Sequence, residues 1–186
     1  MRILLAGLAG AVAMFVWTAV AHMVTPLGTV GFHQMPGEQA VLDTMKSSVG
    51  DKGGFYFYPW VDPNDPKMME KAAAAEKANP HGLLLYHAAG QDLDADMTPM
   101  LIKEFIKQFV QALIFAWIVS MLVLSFMTRV GAVVAMGVSS AIATNISYWN
   151  WYGFPLDYTM AQVTIEIVSA LVAGLAIAAV LRNRTA

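Results

Sequence analysis

The sequence predicts an integral membrane protein, mainly α, with four transmembrane helices and a small extracytoplasmic α/β cap between helices 1 and 2. Three observations predict it. Hydrophobic residues make up 58% of the 186 and charged residues only 13%, against an apolar share of roughly 45–50% in soluble domains. Four apolar runs, at about 3–21, 109–126, 130–149 and 159–181, are near the ~20 helical residues that cross a hydrocarbon core. Arginine is also segregated from lysine. Arg2, Arg129, Arg182 and Arg184 flank the runs on one side, while all seven lysines and twelve of the thirteen acids lie on the other side or at its helix ends.

The first run is tested as a signal peptide, because Met1-Arg2 forms a short basic start and Ala19-Val20-Ala21 has the small-x-small form of a cleavage site. A retained helix is the favoured reading. The run exceeds the ~7–15 apolar residues of a signal core, and Ala6/Gly10 and Gly7/Ala11 have the small-xxx-small spacing that lets helices pack closely in lipid. By the positive-inside rule the arginine side is cytoplasmic. Residues 1–23 are then helix 1, 24–98 the extracytoplasmic cap, and 99–186 helices 2 to 4. Both termini face the cytoplasm, and 150–157 forms a short extracytoplasmic loop.

Within the cap, residues 35–50 read as a short helix with Pro36 near its start and Gly50 after its end. Residues 55–60, Phe-Tyr-Phe-Tyr-Pro-Trp, are β-formers bounded by glycine and proline and read as a strand. A helix follows, with Asp65 as N-cap, Pro66 at its first position and Asn79-Pro80 as its stop. A second strand spans 82–87, residues 90–96 form a loop, and Thr98-Pro99 begins the helix that runs into the membrane. Two strands joined through a helix are expected to lie parallel. On the first strand Phe55 and Phe57 face one way, Tyr56 and Tyr58 the other. That arrangement suits a strand packed on both sides, or an aromatic wall for an apolar ligand.

The residue that bears most on chemistry is Glu166, about seven residues inside the last apolar run. An acid there is costly unless paired or protonated. Gln162, Glu166 and Ser169 share one helix face. Similar polar stripes occur at comparable depth elsewhere: Thr18 and His22, Lys107 and Gln111, and Thr144, Asn145 and Tyr148. If the stripes converge, they form a polar pocket with Glu166 at its base and Lys107, His22 or Asn145 as its partners. Ordinary interhelical hydrogen bonding explains the same stripes equally simply. The aromatic residues of 147–158 belong at a membrane interface, as a belt or as the rim of that pocket.

Other chemistries find less support. All four histidines and seven of the thirteen methionines lie on the extracytoplasmic side, which suits copper, but their spacing matches no ligand array and methionine is also a core filler. Asp92, Asp94 and Asp96 resemble the start of a calcium loop, yet Met97 stands where glycine is needed and Lys103 where glutamate is needed. No nucleophile elbow, zinc-protease motif or phosphate-binding glycine loop is present. The absence of cysteine excludes disulfides and thiolate metal sites. Between residues 24 and 100, ten acids against five lysines disfavour nucleic acid as a partner.

The segments FVWTAVAHM in the first helix, GGFYFYP and HGLLLYHAAG in the cap, and IKEF entering the second helix resemble a group of uncharacterised bacterial four-helix inner-membrane proteins. The resemblance implies a bacterial inner-membrane location and no particular activity. The expected role is a non-enzymatic binding or accessory protein. Its ligand-binding residues are then Glu166, Gln162, Asn145, Lys107 and His22 in the pocket, with Tyr56, Tyr58 and Trp60 in the cap. The expected partners are membrane lipid and other membrane-protein subunits, and the cofactor is unknown. The alternatives are a small membrane enzyme or carrier acting on a lipid or other amphiphile, and periplasmic copper handling.

Overall fold

The computed structural model describes residues 1–90 and 93–182. In chain order the elements are α1 (Arg2–Met23), a 3-10 turn (Pro26–Gly28), α2 (Glu38–Ser48), β1 (Gly54–Tyr58), α3 (Met68–Ala78), β2 (Gly82–Tyr86), α4 (Leu93–Ser120), α5 (Phe126–Ala141), a π turn (Ile142–Ile146), α6 (Ser147–Tyr152) and α7 (Leu156–Leu181). They form two compact units, Met1–Phe32 with Asp94–Ala186, and His33–Leu93.

Among the described residues three helices are long and apolar enough to cross a membrane. These are Arg2–Met23 with 22 residues, the continuous Phe126–Tyr152 with 27, and Leu156–Leu181 with 26. α4 has 28 residues but carries Lys103, Glu104 and Lys107. Its uncharged helical part, from Gln108 to Ser120, is only about 13 residues, or ~20 Å at ~1.5 Å per residue, against a ~30 Å core. The expected second span, 109–126, is therefore not one helix. The chain leaves α4 at Ser120, and Ser125 opens α5 by accepting the Thr128 N–H on its Oγ at 3.2 Å. The other end of α4 also differs from expectation. It begins at Leu93, so Pro99 lies inside the helix rather than at its start; proline withholds one N–H there without ending the helix.

Small residues set the packing of the helical unit. A Cβ added at Gly7 would lie 3.0 Å from Leu113 Cα, and one at Gly10 would lie 3.0 Å from the Ile177 side chain and 3.1 Å from Ala112 Cβ. These contacts run α1 antiparallel to both α4 and α7. Ala6 and Ala11, the partners of those glycines in the small-xxx-small pattern, are fully buried. α5 meets α7 in the same way, with Gly137 against Ala170 and Gly174 against Val130. The core between them is Met14, Phe115, Val119, Val133, Ile177 and their small neighbours. Arg129 is buried rather than flanking, and its Nη1 donates to the Leu181 carbonyl at 3.1 Å, closing the last turn of α7. A cation suits the negative end of a helix.

At the opposite end, where α1 finishes and α7 begins, the loop after α1 folds back on the bundle. A Cβ on Gly28 would strike His22 Cα at 2.6 Å, and one on Gly31 (φ +82°) would strike Tyr158 Cβ at 2.6 Å. Phe32, Tyr158, Phe154, Tyr148 and Tyr152 form a chain of ring contacts there, with centroids 5.4–5.9 Å apart. This is the aromatic cluster that the sequence placed at the ends of the last two helices.

In the His33–Leu93 unit, α2 ends at Ser48 and is followed by Gly50, whose left-handed φ of +68° favours glycine. β1 and β2 pair antiparallel, Gly54 opposite Tyr86 and Tyr58 opposite Gly82. The parallel expectation is thus corrected. The connection contains a non-helical leg of about nine residues before α3, which can offset the ~16 Å of that helix and return the chain to the end it left. α3 starts at Met68, two residues later than expected, because Asp65 and Pro66 are used in a preceding turn: the Asp65 carboxylate accepts the Lys67 N–H at 2.8 Å and its carbonyl accepts the Met68 N–H. The Lys71 ammonium, and then the Lys67 N–H, hold the Asp65 carboxyl below the usual carboxylate range. Tyr86 is the one buried side chain among the described residues of this unit, its hydroxyl donating to the Gly50 carbonyl at 2.8 Å.

Candidate functional site

The helical unit encloses a cleft of about 1180 Å³. One wall comes from α1 and α4, the other from the helix of α5 and the π turn together with α7. Small side chains on the second wall, Gly137, Ser140, Ser169 and Ala170, leave the space open. Larger apolar groups, Met14, Val110 and Ile114, line the first.

Hydrogen bonds fix a polar layer across all four helices at one level. On the first wall the Gln108 Nε2 donates to Thr18 Oγ1 at 3.0 Å and to Glu104 Oε1 at 2.8 Å, joining α4 to α1. The same Glu104 oxygen accepts the Lys107 ammonium at 2.7 Å. Trp17 Nε1 donates to the Ile165 carbonyl at 2.9 Å, joining α1 to α7. On the second wall Asn145 Nδ2 donates to Glu166 Oε1 at 3.1 Å and to the Ala141 carbonyl at 3.0 Å. Asn145 lies in the π turn, where the ordinary backbone ladder is interrupted. The amide thus replaces a backbone donor at the kink and orients the carboxylate one helix away.

The level of each residue follows from helix direction. His22, Glu104 and Gln162 lie one turn nearer the end where α1 finishes; Met14, Ile114, Gly137 and Ala170 lie deeper. The cleft is polar at that end and apolar below. His22 Nδ1 lies 2.9 Å from the Thr18 carbonyl; since a carbonyl only accepts, Nδ1 is the donor of that bond.

Two groups in the layer are incompletely matched. Gln108 is 1% exposed, and its Oε1 is buried without a partner among the described residues. The amide orientation is set by its neighbours, because reversing it would turn Oε1 toward the Glu104 carboxylate, acceptor against acceptor. Glu166 is half-buried, and its one hydrogen bond among the described residues is that from Asn145. No cation pairs with it there, since Lys107 is engaged by Glu104.

Of the sequence-predicted residues, Glu166, Gln162, Lys107 and His22 all line the cleft, and Asn145 is buried behind it on Glu166. Lys107 is not a partner of Glu166, as it pairs with Glu104. Tyr56, Tyr58 and Trp60 belong to the His33–Leu93 unit and are exposed, with Trp60 at 70%. Tyr56 donates to the Lys52 carbonyl at 2.8 Å and meets the Tyr86 ring edge-on. Sequence reasoning missed Gln108 and Glu104. Their signal was present: they stand at i and i+4 on α4, one step around from the Lys107/Gln111 stripe. No three His, Asp or Glu side chains among the described residues come together in a way that could hold a metal ion. Asp92 and the side chains of Asp94 and Asp96 lie outside the described residues.

Comparison with protein-family models, with curated proteins and with solved structures found no match.

Proposed function

We infer that the chain is a non-enzymatic membrane binding protein whose ligand is an amphiphile held in the cleft between α1, α4, α5 and α7. One observation carries this reading: a cleft of about 1180 Å³ is polar at one end, through Glu166, Gln108, Gln162 and His22, and apolar at the other. Such a gradient matches a molecule with a head and a tail. The volume also exceeds the ~300–1,000 Å³ typical of small-ligand sites, as a lipid chain requires. In this reading α4 is the fourth membrane helix, with Glu104 and Lys107 at the interface, where charged heads reach water. The chain then lies in a bacterial inner membrane with both termini cytoplasmic, an orientation supported by the arginine bias. The exposed aromatic strand of the cap is its second working surface, toward lipid or another membrane subunit.

Native mass spectrometry of the protein, gently extracted from its own membrane, tests the proposal. The expected spectrum shows a retained lipid mass that is reduced in Ser140→Leu, which adds bulk to a residue that lines the cleft. A wild-type chain that carries no added mass, or as much lipid in that variant as in wild type, would refute it.

A further inference from the structure

We propose that the arginine end of the helical unit binds an anionic phospholipid whose phosphate is held by the Arg129 guanidinium. The inference needs only that the long helices lie in a bilayer, and it stands independently of the cleft.

Arg129 is 9% exposed, and a guanidinium keeps its charge in proteins and offers five N–H donors. One of the five is used, since Nη1 donates to the Leu181 carbonyl at 3.1 Å. Nε is enclosed and out of a ligand's reach, but Nη2 is not enclosed and donates to nothing among the described residues. No carboxylate answers the charge. The two ion pairs among the described residues lie elsewhere, at Asp65 and Glu104, and 1–37, 105–156 and 167–186 contain no Asp or Glu. Glu166, the nearest acid along α7, stands about 15 residues before Leu181, or ~22 Å away. Helix ends do not make up the difference: the end of α7 carries about half a negative charge, and the start of α5, which bears Arg129, about half a positive one. A buried charge is costly unless paired, so the site is completed by an anion from outside the chain.

The surroundings favour a lipid as the source of that anion. A helical side chain leans toward the N-terminus of its helix, which sets the guanidinium toward the turn between α4 and α5. Met121, Leu122 and Val123 in that turn are exposed, and exposed apolar surface of this kind suits hydrocarbon. Phosphate oxygens accept strong, charge-assisted bonds from a guanidinium. Free phosphate engages the cation alone, whereas a phospholipid engages the cation and the apolar turn together. Arg2 and Arg182, both exposed, stand at the same end, so a zwitterionic head would bring its ammonium among cations. A head with a net negative charge avoids that repulsion.

The wild-type chain is placed in nanodiscs of equal parts phosphatidylglycerol and phosphatidylethanolamine with matched acyl chains and released into mild detergent. Gel filtration follows in ~1 M sodium chloride, where the Debye length is ~3 Å and exposed arginines are screened. Retained lipid is then counted by mass spectrometry. Phosphatidylglycerol is expected at least about fivefold above phosphatidylethanolamine, the factor that one basic side chain is worth at a membrane surface. Equal retention, no retention, or a preference seen only at low salt overturns the proposal. Release of phosphatidylglycerol by inorganic phosphate at the same ionic strength assigns the site to the free anion and overturns the lipid. Arg129→Gln, which keeps a donor for Leu181, is expected to lose the preference, and Ser140→Leu, at the cleft, to keep it. Persistence in the first or loss in the second overturns the proposal, and loss in the second places the lipid in the cleft instead. Contact is also read without changing Arg129, in a chain carrying Arg2→Lys, Arg182→Lys and Arg184→Lys, where it is the sole arginine. Solid-state NMR in phosphatidylglycerol bilayers is expected to show dephasing of the guanidinium nitrogen signal by lipid phosphorus; its absence overturns the proposal even if Arg129→Gln fails to fold.

Discussion

Replacing Gly137 with alanine tests whether the cleft is held open by the close approach of α5 to α7. The new Cβ would lie 2.2 Å from Ala170 Cβ, whereas carbon atoms in contact rest ~3.5–4.0 Å apart. α5 must therefore retreat from α7 by ~1.3 Å or more, which carries Asn145 away from Glu166 and breaks their 3.1 Å hydrogen bond. Overpacking of this kind costs ~1–3 kcal/mol, and the better helix propensity of alanine offsets at most ~1 kcal/mol. A net loss of ~1–2 kcal/mol is expected. Unfolding in mixed micelles titrated with a denaturing detergent, followed by circular dichroism, measures it. Ala170→Gly removes the colliding carbon, so the double variant is expected to recover at least ~1 kcal/mol relative to the sum of the single changes. Gly131→Ala is the control: no atom lies within 4 Å of its added carbon, so it is expected to gain up to ~1 kcal/mol from helix propensity. A Gly137→Ala protein as stable as wild type, or a double variant additive within ~0.5 kcal/mol, would refute the reasoning.

Two further predictions concern the ends of the structure. Arg129→Met leaves the Leu181 carbonyl without its 3.1 Å donor, with an expected loss of ~1–3 kcal/mol; faster amide exchange confined to the last turn of α7 is the measurement, and unchanged exchange there counts against the capping role. In the other unit, Tyr86→Phe deletes the 2.8 Å bond to Gly50 at a cost of ~1 kcal/mol, while Tyr86→Ala removes the buried ring at ~3–5 kcal/mol. Graded protease sensitivity within 33–93 is expected, wild type least and alanine most; equal resistance of all three would mean that Tyr86 does not hold the unit together.

Three of the long helices were legible because their signal is long and physical, an apolar run of about twenty residues; the run 109–126 was not, since the helix ends at Ser120 inside it. The polar layer was partly legible for the same reason. A charge or amide inside such a run is costly, so Glu166 and Asn145 stand out from sequence alone, and helical spacing brings Gln162 onto the face of Glu166. Pairing was harder. Lys107 has two acids within helix reach in principle, one local at Glu104 and one remote at Glu166, and the local one wins because no helix displacement is needed. The direction of β2 was not legible, since a connection long enough to hold a helix and a further leg admits either sense. Nor was the π turn: Ile142–Ile146 has ordinary helix-forming composition, and the feature becomes visible only once Asn145 is seen bonded to Ala141.

Interhelical glue and a binding site make different demands on the same side chains, and the layer can be divided between them. Trp17 on the Ile165 carbonyl, and Asn145 on Ala141, are matched contacts that hold helices together and ask for nothing more. A purely structural layer would end there, because an unmatched buried acceptor only subtracts from stability. Gln108 does not end there: its two hydrogens are used and its oxygen is buried without a partner among the described residues. An apolar side chain at that position would avoid the cost, and larger residues in place of Ser140 and Ser169 would take up part of the volume. Glue explains why the layer has polar residues. In the proposed reading, binding accounts in addition for the small residues that border the cleft.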